Sequence, residues 1–413
     1  MKVLYFHQHF STPGGSTGVR SYKMARALID RGCDVTIVCG SYRGGESGVK
    51  TSFRRGVRSG VVDGIHVIET QIQYSNSQSF LSRVISFLRY MIFGIYIVLT
   101  QKADIVVCSS TPLTVGLVGV IGKIFRRRKF VFEVRDLWPE FPIQMGVISN
   151  PFLIAVLRRM ERIIHHHADL GIALSDGMAT AMRGLCRTAC PISVVPNGSD
   201  LDLASDCSIG KRPDGVLDTD LMAVYSGTFG VANGLDSIID AAEILHRSGV
   251  ENIKFVLIGQ GSQKVHLLDR VGTARLSNVI FLDPMEKRLL FGMLRTADVG
   301  LQILKDIPAF YNATSPNKFF DYLSCGLPVL VNYPGWVADL LADYECGVLV
   351  SPNDPEMLAS RLAGFVSGSP ELKAMSHASL AVAKNLFDRD MLAEKWVDSV
   401  LAASPERRAN LLR

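Results

Sequence analysis

Thr314-Ser315-Pro316-Asn317-Lys318-Phe319-Phe320-Asp321-Tyr322-Leu323-Ser324-Cys325-Gly326-Leu327-Pro328-Val329-Leu330-Val331-Asn332 reads as a polar loop, a short helix, a turn and a buried strand. Ser315 has the side chain of an N-cap, Pro316 suits the first helical position and Gly326 suits a C-terminal stop. Val329-Leu330-Val331 is an apolar run of the kind that fills a parallel strand covered on both faces. The helix start presents unpaired N–H groups and about half a positive charge, which favours an anion. Lys318 adds a full cation in the first turn, and Asp321 follows on about the same face. A cation suits a phosphate and a carboxylate suits sugar hydroxyls. The same residues also fit an ordinary capped surface helix, so the rest of the chain has to decide.

With 413 residues, 48% hydrophobic and 20% charged, the chain is globular and too long for one core. Two domains of about 200 residues each are expected. The net charge of +5 permits an anionic ligand or a membrane surface and does not call for nucleic acid. The eight cysteines form no C-x-x-C pair, and several lie in apolar runs, as reduced thiols do. Cys186 and Cys190 lack companions for a metal site, so no metal is expected. The opening Met1–Phe6 reads as a strand and lacks the h-region and cleavage site of a signal peptide.

Outward from the opening stretch, strand and helix signals alternate. Strands are expected at Val3–Phe6, Asp34–Cys39, Ile65–Glu69, Ile105–Cys108, Phe130–Val134 and Leu170–Ala173, with helices at Gly18–Arg31, Ser82–Gln101, Val115–Phe125, Phe152–His166 and Gly177–Gly184. The polar segment Ser199–Thr219 reads as a linker. A second alternation follows, ending in two helices, Pro355–Gly368 and one from Pro370 to Leu401. These rhythms predict two Rossmann-like α/β domains facing each other across a deep crevice at the carboxyl ends of their strands. The expected boundaries are 1–200, 201–385 and a C-terminal helix, 386–413.

Residues 80–99 approach a bilayer span in length, but Arg83 and Arg89 interrupt the first half. A core helix and an interfacial helix both fit. Lys123, Arg126, Arg127, Arg128 and Lys129 form a basic cluster suited to anionic headgroups, and Phe152–His166 adds Arg158, Arg159 and Arg162 beside apolar residues. His165-His166-His167 reads as an exposed helix end, since adjacent helical residues point in different directions.

The polar residues fall where strands end. Gly14 and Gly15 lie between the first strand and helix, where glycine lets backbone approach a phosphate. Their spacing is not the G-x-G-x-x-G of a dinucleotide site. Arg135 and Asp136 close a strand; they fit a phosphate ligand and a hydroxyl or proton partner, or else a salt-bridged pair. Tyr225–Gly230 and Ile258–Gly261 occupy the equivalent places in the second half.

In order, Pro13-Gly14-Gly15, Arg135–Glu140 (RDLWPE), Val195–Asp200 (VPNGSD), Ser226–Gly230 with Asn233-Gly234, Ile258–Gly261 (IGQG) and Ser315–Val329 resemble the retaining family-4 glycosyltransferases of GT-B fold. The resemblance is greatest to the WbuB-like enzymes of bacterial surface-polysaccharide synthesis and spans nearly the whole chain. It implies a nucleotide-diphosphate sugar donor, UDP or another, with no cofactor or metal required. It also implies transfer with retention to a polyprenyl-diphosphate-linked or oligosaccharide acceptor, at the cytoplasmic face of the membrane. The last helix, around Phe387–Trp396, is implied to cross back onto the N-terminal domain. Two departures stand out. Ala313 occupies the place of the first Glu in the family's Glu-x7-Glu pattern, whose second position is Asp321 here. Thr228-Phe229 and Asn233 stand where the family carries the Arg and Lys that neutralise the diphosphate. The expected catalytic groups are therefore Lys318, Arg135 and Asp136. The expected substrate contacts are Gly14, Gly15, Thr228, Gly259, Thr314, Ser315, Asn317 and Asp321. A nucleotide-sugar 2-epimerase and a non-catalytic nucleotide-sugar-binding subunit fit the same architecture.

Overall fold

Apolar runs of three to six residues, bounded by turns, become the buried strands of two parallel sheets. The computed structural model describes residues 1–42, 44–74, 78–187 and 190–403, and divides into two units. The first comprises Met1–Asn197, Ala313–Ser315 and the chain from Arg389; the second comprises Gly198–Asn312 and Pro316–Asp388.

In the first unit, β1 (Lys2–Phe6), β2 (Asp34–Tyr42), β3 (Val57–Val62), β4 (Ile65–Tyr74), β5 (Ile105–Ser109), β6 (Lys129–Val134), β7 (Leu170–Ala173) and β8 (Ile192–Val194) form one sheet. Their order is β3-β4-β2-β1-β5-β6-β7-β8. Neighbours pair in parallel except β3 and β4, an antiparallel hairpin. That hairpin turns on Asp63-Gly64, both at positive φ, the two-residue turn that matches strand twist. In the second unit, β9 (Leu221–Ser226), β10 (Ile253–Ile258), β11 (Val279–Leu282), β12 (Val299–Gln302), β13 (Val329–Val331) and β14 (Gly347–Leu349) run parallel, in the order β11-β10-β9-β12-β13-β14. In both sheets the strand order reverses beside the first strand, the switch point where open α/β sheets bind ligands.

The Phe80–Thr100 helix is two-faced. Tyr90, Ile97 and Val98 are buried, with the Tyr90 hydroxyl donating to Val38 O at 2.6 Å, while Leu81, Ile85, Leu88, Ile92 and Tyr96 form an exposed stripe. By length and composition Leu81–Thr100 could cross a membrane, yet Tyr90 and its neighbours pack on the sheet. The basic cluster is largely occupied. Arg126 and Arg128 donate to carbonyls at the end of that helix, Leu99 O and Val98 O, and Lys123 pairs with Asp169. This leaves Arg127 as the exposed cation without a partner described for it.

Three expectations are corrected. Ser199–Thr219 is not a free linker: it belongs to the second unit and holds the Leu201–Asp206 helix, tied down by Arg295 donating to Cys207 O. The single C-terminal helix is two, Pro370–Leu386 and Arg389–Ala402. The break falls at Phe387, whose ring packs on Phe320 in the second unit, while Arg389–Ala402 belongs to the first. His165 is buried rather than exposed; it packs edge-on to Phe132, and burial lowers its pKa to about 4.

Glu133, near the end of β6, anchors the first unit. Its carboxylate accepts from Arg20 Nε (2.9 Å), Ser109 Oγ (2.6 Å), Tyr5 OH (3.2 Å) and Trp396 Nε1 (3.1 Å). Arg20 also donates to Val195 O and Pro196 O, so one guanidinium joins the first helix, β6 and the chain beyond β8. Burial alone would raise the Glu133 pKa; Arg20, Arg135 and the Ser109 hydroxyl together hold it below the usual carboxylate value. Removing one partner of a fully buried pair strands the other charge. Glu133→Ala should cost about 3–5 kcal/mol, against under about 1 kcal/mol for Asp34→Ala, whose Lys2 partner is exposed. Urea unfolding followed by tryptophan fluorescence measures both, and equal losses would contradict the hub.

Candidate active site

The second unit supplies a cation at the end of its central strand. β9 stops at Ser226, and Gly227-Thr228 are exposed beyond it. Gly227 N donates to Ile258 O, while Gly227 O lies where a Cβ on Gly259 would be, 1.9 Å away. The two strand ends therefore touch backbone to backbone, which no side chain at Gly259 would permit. The Gly259 amide donates to Leu282 O, so its role is this close approach rather than a free donor.

Against that platform lies Lys318, in the first turn of the Asn317–Ser324 helix. Its Nζ donates to Asn233 Oδ1 at 3.2 Å and sits 4.7 Å above the centre of the Tyr225 ring. Asn233 is itself held by donating from Nδ2 to Thr228 O, and Tyr225 OH donates to the same carbonyl. A Cβ on Gly227 would come within 2.9 Å of Lys318 Cε, so glycine leaves the room the lysine fills. Burial lowers the Lys318 pKa from 10.5 to about 8. At pH 7 the group is still mainly an ammonium, with no carboxylate in ion-pair range among the described residues, and the partners described for it are a neutral amide and a ring face.

The remaining residues of the opening stretch are placed differently from expectation. Ser315 does not cap the helix: Pro316 is the N-cap, without a side-chain bond, because the Ser315 hydroxyl accepts from Asn197 N (3.0 Å). Thr314 and Ser315 belong to the first unit with Asn197, while Asn317 and Lys318 belong to the second. The Asn317 side-chain oxygen Oδ1 is buried without a hydrogen bond among the described residues. Asp321 does not share the Lys318 surroundings. It is buried and pairs with Lys287 (3.1 Å), which also pairs with buried Asp200, so its carboxylate is committed to a structural cluster.

In the first unit, Arg135 and Asp136 stand beyond β6 but are not paired with each other. Arg135 Nη1 donates to His7 Nε2 at 2.7 Å, and Asp136 Oδ2 accepts from Thr111 Oγ1 at 2.9 Å. A guanidinium only donates, so His7 Nε2 accepts; Nδ1 therefore carries the hydrogen and donates to Ser21 Oγ at 2.7 Å. Burial, then the Arg135 charge, push the His7 pKa well down, so this ring is neutral. His9 packs 4.4 Å from the Tyr74 ring, and its pKa is lowered to about 3 by burial and by Arg135. Gly14 and Gly15 do not form an open amide cradle. Gly15 N donates to Thr12 O, Ser16 N to Gly44 O, and added Cβ atoms would strike Glu46 and Ser11, so the loop is closed on itself. Among the described residues no group of three His, Cys, Asp or Glu could hold a metal ion.

Lys318, Thr228 and Gly259 thus gather in one unit, with Arg135 and Asp136 in the other. Tyr225 and Asn233 were read as part of the loop after the first strand of the second half but not as partners of Lys318, and His7 and His9 were not picked out from the sequence. His7 and His9 follow β1 directly, so the rule that polar residues at the carboxyl ends of parallel strands face the ligand side would have found them.

Residues 15–198 match the family described as Glycosyl transferase 4-like domain, and residues 211–380 match Glycosyl transferases group 1. Comparison with the curated proteins finds no match. Among solved structures, sucrose-phosphate synthase from Thermosynechococcus elongatus superposes with a TM-score of 0.71 at 16% identity, over 98% of this chain and 100% of that one. HepE from Anabaena, in complex with UDP and glucose, gives 0.67 at 17% identity over 97% and 99%. WaaG, a glycosyltransferase involved in lipopolysaccharide biosynthesis, gives 0.64 at 17% over 96% and 99%. These likenesses establish the fold.

Proposed function

Because this chain belongs to the GT-B glycosyltransferases, pairing a glycosyl transferase 4-like domain with a group 1 domain, we propose that it transfers a sugar from a UDP-type nucleotide-sugar to a lipid-linked acceptor of polysaccharide synthesis, with retention and without a metal. The observation that carries this reading is the Lys318 ammonium, held by Asn233 and Tyr225 at the end of β9 without a carboxylate partner described for it. A diphosphate leaving group gains negative charge as the anomeric C–O bond breaks, and a fixed cation in a dry site stabilises that charge strongly. The acceptor oxygen bonds to the anomeric carbon from the same face, and its proton passes to the departing phosphate oxygen. Nucleoside diphosphate and glycosylated acceptor are the products. Arg135 and Asp136 act on the acceptor side, as phosphate and hydroxyl partners. HepE in complex with UDP and glucose supports the choice of donor class.

Lys318→Ala should lose about 2–4 kcal/mol of transition-state stabilisation in kcat/KM, with Lys318→Arg recovering part of it. Transfer is measured by mass spectrometry of UDP-sugars incubated with membrane extract. Near-native transfer by Lys318→Ala would overturn the role of the ammonium. Isomerised sugar from donor alone would mark an epimerase, and UDP binding without turnover a silent subunit.

The same proposal puts the enzyme on the inner face of the cytoplasmic membrane as a peripheral protein. Its support is the exposed apolar stripe of the Phe80–Thr100 helix together with Phe152, 78% exposed, near Arg158 and Arg159. Flotation with vesicles containing anionic phospholipid should carry the native protein and leave Ile92→Glu behind. Equal flotation of both would exclude that stripe as the contact.

A further inference from the structure

Cys186 and Cys190 stand together in the first unit, between the Asp176–Arg183 helix and β8. Cys186 N donates to Met182 O, which carries the helix on by one bond. Cys190 N donates to Arg187 O at 2.9 Å, a turn that brings the chain back on itself. The two side chains hydrogen-bond each other, the Cys186 thiol donating to the Cys190 sulfur. A thiol has one hydrogen, so the Cys186 sulfur meets His165 Nδ1, 3.7 Å away, as an acceptor.

The other six thiols are placed differently. Cys33, Cys39, Cys108, Cys207 and Cys346 are buried, and burial holds half-buried Cys325 as a thiol. Cys186 and Cys190 are both half-buried, and their surroundings divide the pair. The hydrogen bond to Cys190, then burial, keep the proton on Cys186. At Cys190 that same hydrogen bond, with the Gly171 backbone and Lys123, outweighs burial and Asp169 and favours the thiolate. The thiolate is the form that attacks. A sulfur ready to attack, a second within hydrogen-bonding reach to resolve it, and access for small reagents together mark a redox-active pair.

The pair is joined to the ligand side of the unit. His165, Met182 and Leu185 line a small cavity together with Asp136, Trp138 and Glu161. Cys186 meets two of these wall residues, His165 through its sulfur and Met182 through its amide.

We propose that Cys186 and Cys190 form a reversible disulfide with a peroxide as the oxidant, and that this bond shifts the wall of the cavity on which Asp136 opens. The Cys190 thiolate attacks one peroxide oxygen and the O–O bond breaks. Cys190 becomes a sulfenic acid, and the hydroxide released takes up a proton to give water. The Cys186 sulfur then attacks the Cys190 sulfur and the S–O bond breaks. The Cys186 proton leaves with that hydroxyl as a second water. Two thiols lose two electrons in all, and the peroxide gains them. Drawing the sulfurs together takes Cys186 away from His165 Nδ1, which frees the His165 side of the cavity.

The test treats the reduced full chain with an equimolar amount of hydrogen peroxide, blocks remaining thiols with iodoacetamide and maps unreduced tryptic peptides by mass spectrometry. Cleavage after Arg187 puts the two cysteines on separate peptides. A Cys186–Cys190 cross-link should form and be lost on treatment with dithiothreitol. Cys186→Ser should leave a sulfenic acid on Cys190, trapped by dimedone, whereas Cys190→Ser should trap none at Cys186. Tryptophan fluorescence of the native protein should shift on oxidation, and Trp138→Phe should lose that shift. Native protein that forms no cross-link, or links other cysteines, would overturn the pairing. Equal dimedone trapping in the two serine variants would overturn Cys190 as the attacking sulfur, and a cross-link with unchanged fluorescence would overturn the effect on the cavity.

Discussion

A single ammonium group, half-buried against a strand end with no carboxylate described near it, is the constraint around which the second unit is arranged. Lys318 reaches the end of β9 only because Gly227 has no side chain, because Asn233 offers an oxygen there, and because Tyr225 presents its ring face. Each neighbour is neutral, so the positive charge is placed but not cancelled. An ordinary surface lysine in water would contribute little to a reacting phosphate. Partial burial, which lowers its pKa to about 8, also raises the strength of its interaction with an incoming anion.

Where the family pattern carries Arg and Lys in the loop after β9, this chain has Thr228-Phe229 and Asn233. The Lys318 ammonium, carried by the Asn317–Ser324 helix, lies against Asn233 of that loop. In the other half of the family pattern, Ala313 carries no polar group, and Asp321, the surviving acidic position, is tied to Lys287 and Asp200 inside the unit.

Much of the fold was legible because parallel strands leave a plain signal: short apolar runs such as Ile105–Ser109 and Leu170–Ala173, buried at every position. The β3–β4 hairpin escaped notice although Asp63-Gly64 is a strong turn signal, since β3 alternates half-buried and exposed residues and has no apolar run. The break at Phe387 was not marked by a helix-breaking residue, so the helical pattern read as one helix from Pro370 although the expected domain boundary fell at 385–386; Phe387 packs on Phe320 there. At the site, Lys318 was legible from its motif, but its partners were not. Asn233 and Tyr225 lie 85 and 93 positions away in sequence, and nothing local marks them as neighbours of a lysine. The glycine loop misled for a related reason: Gly14-Gly15 satisfies a close approach to the 44–46 segment, a demand that resembles phosphate binding in sequence.

The central claim is that the Lys318 ammonium meets the diphosphate, and its titration tests this most directly. A base whose charged form is penalised by burial titrates low, and an anion bound beside it must raise that value, since the anion favours the charged form. The lysines are labelled with ¹³C-methyl groups, Lys318 is assigned through Lys318→Arg, and its resonance is followed from pH 6 to 11 with and without UDP. The account predicts a midpoint near 8 in the free protein, moving upward by at least one unit when UDP is bound. An unchanged midpoint under saturating UDP would contradict it.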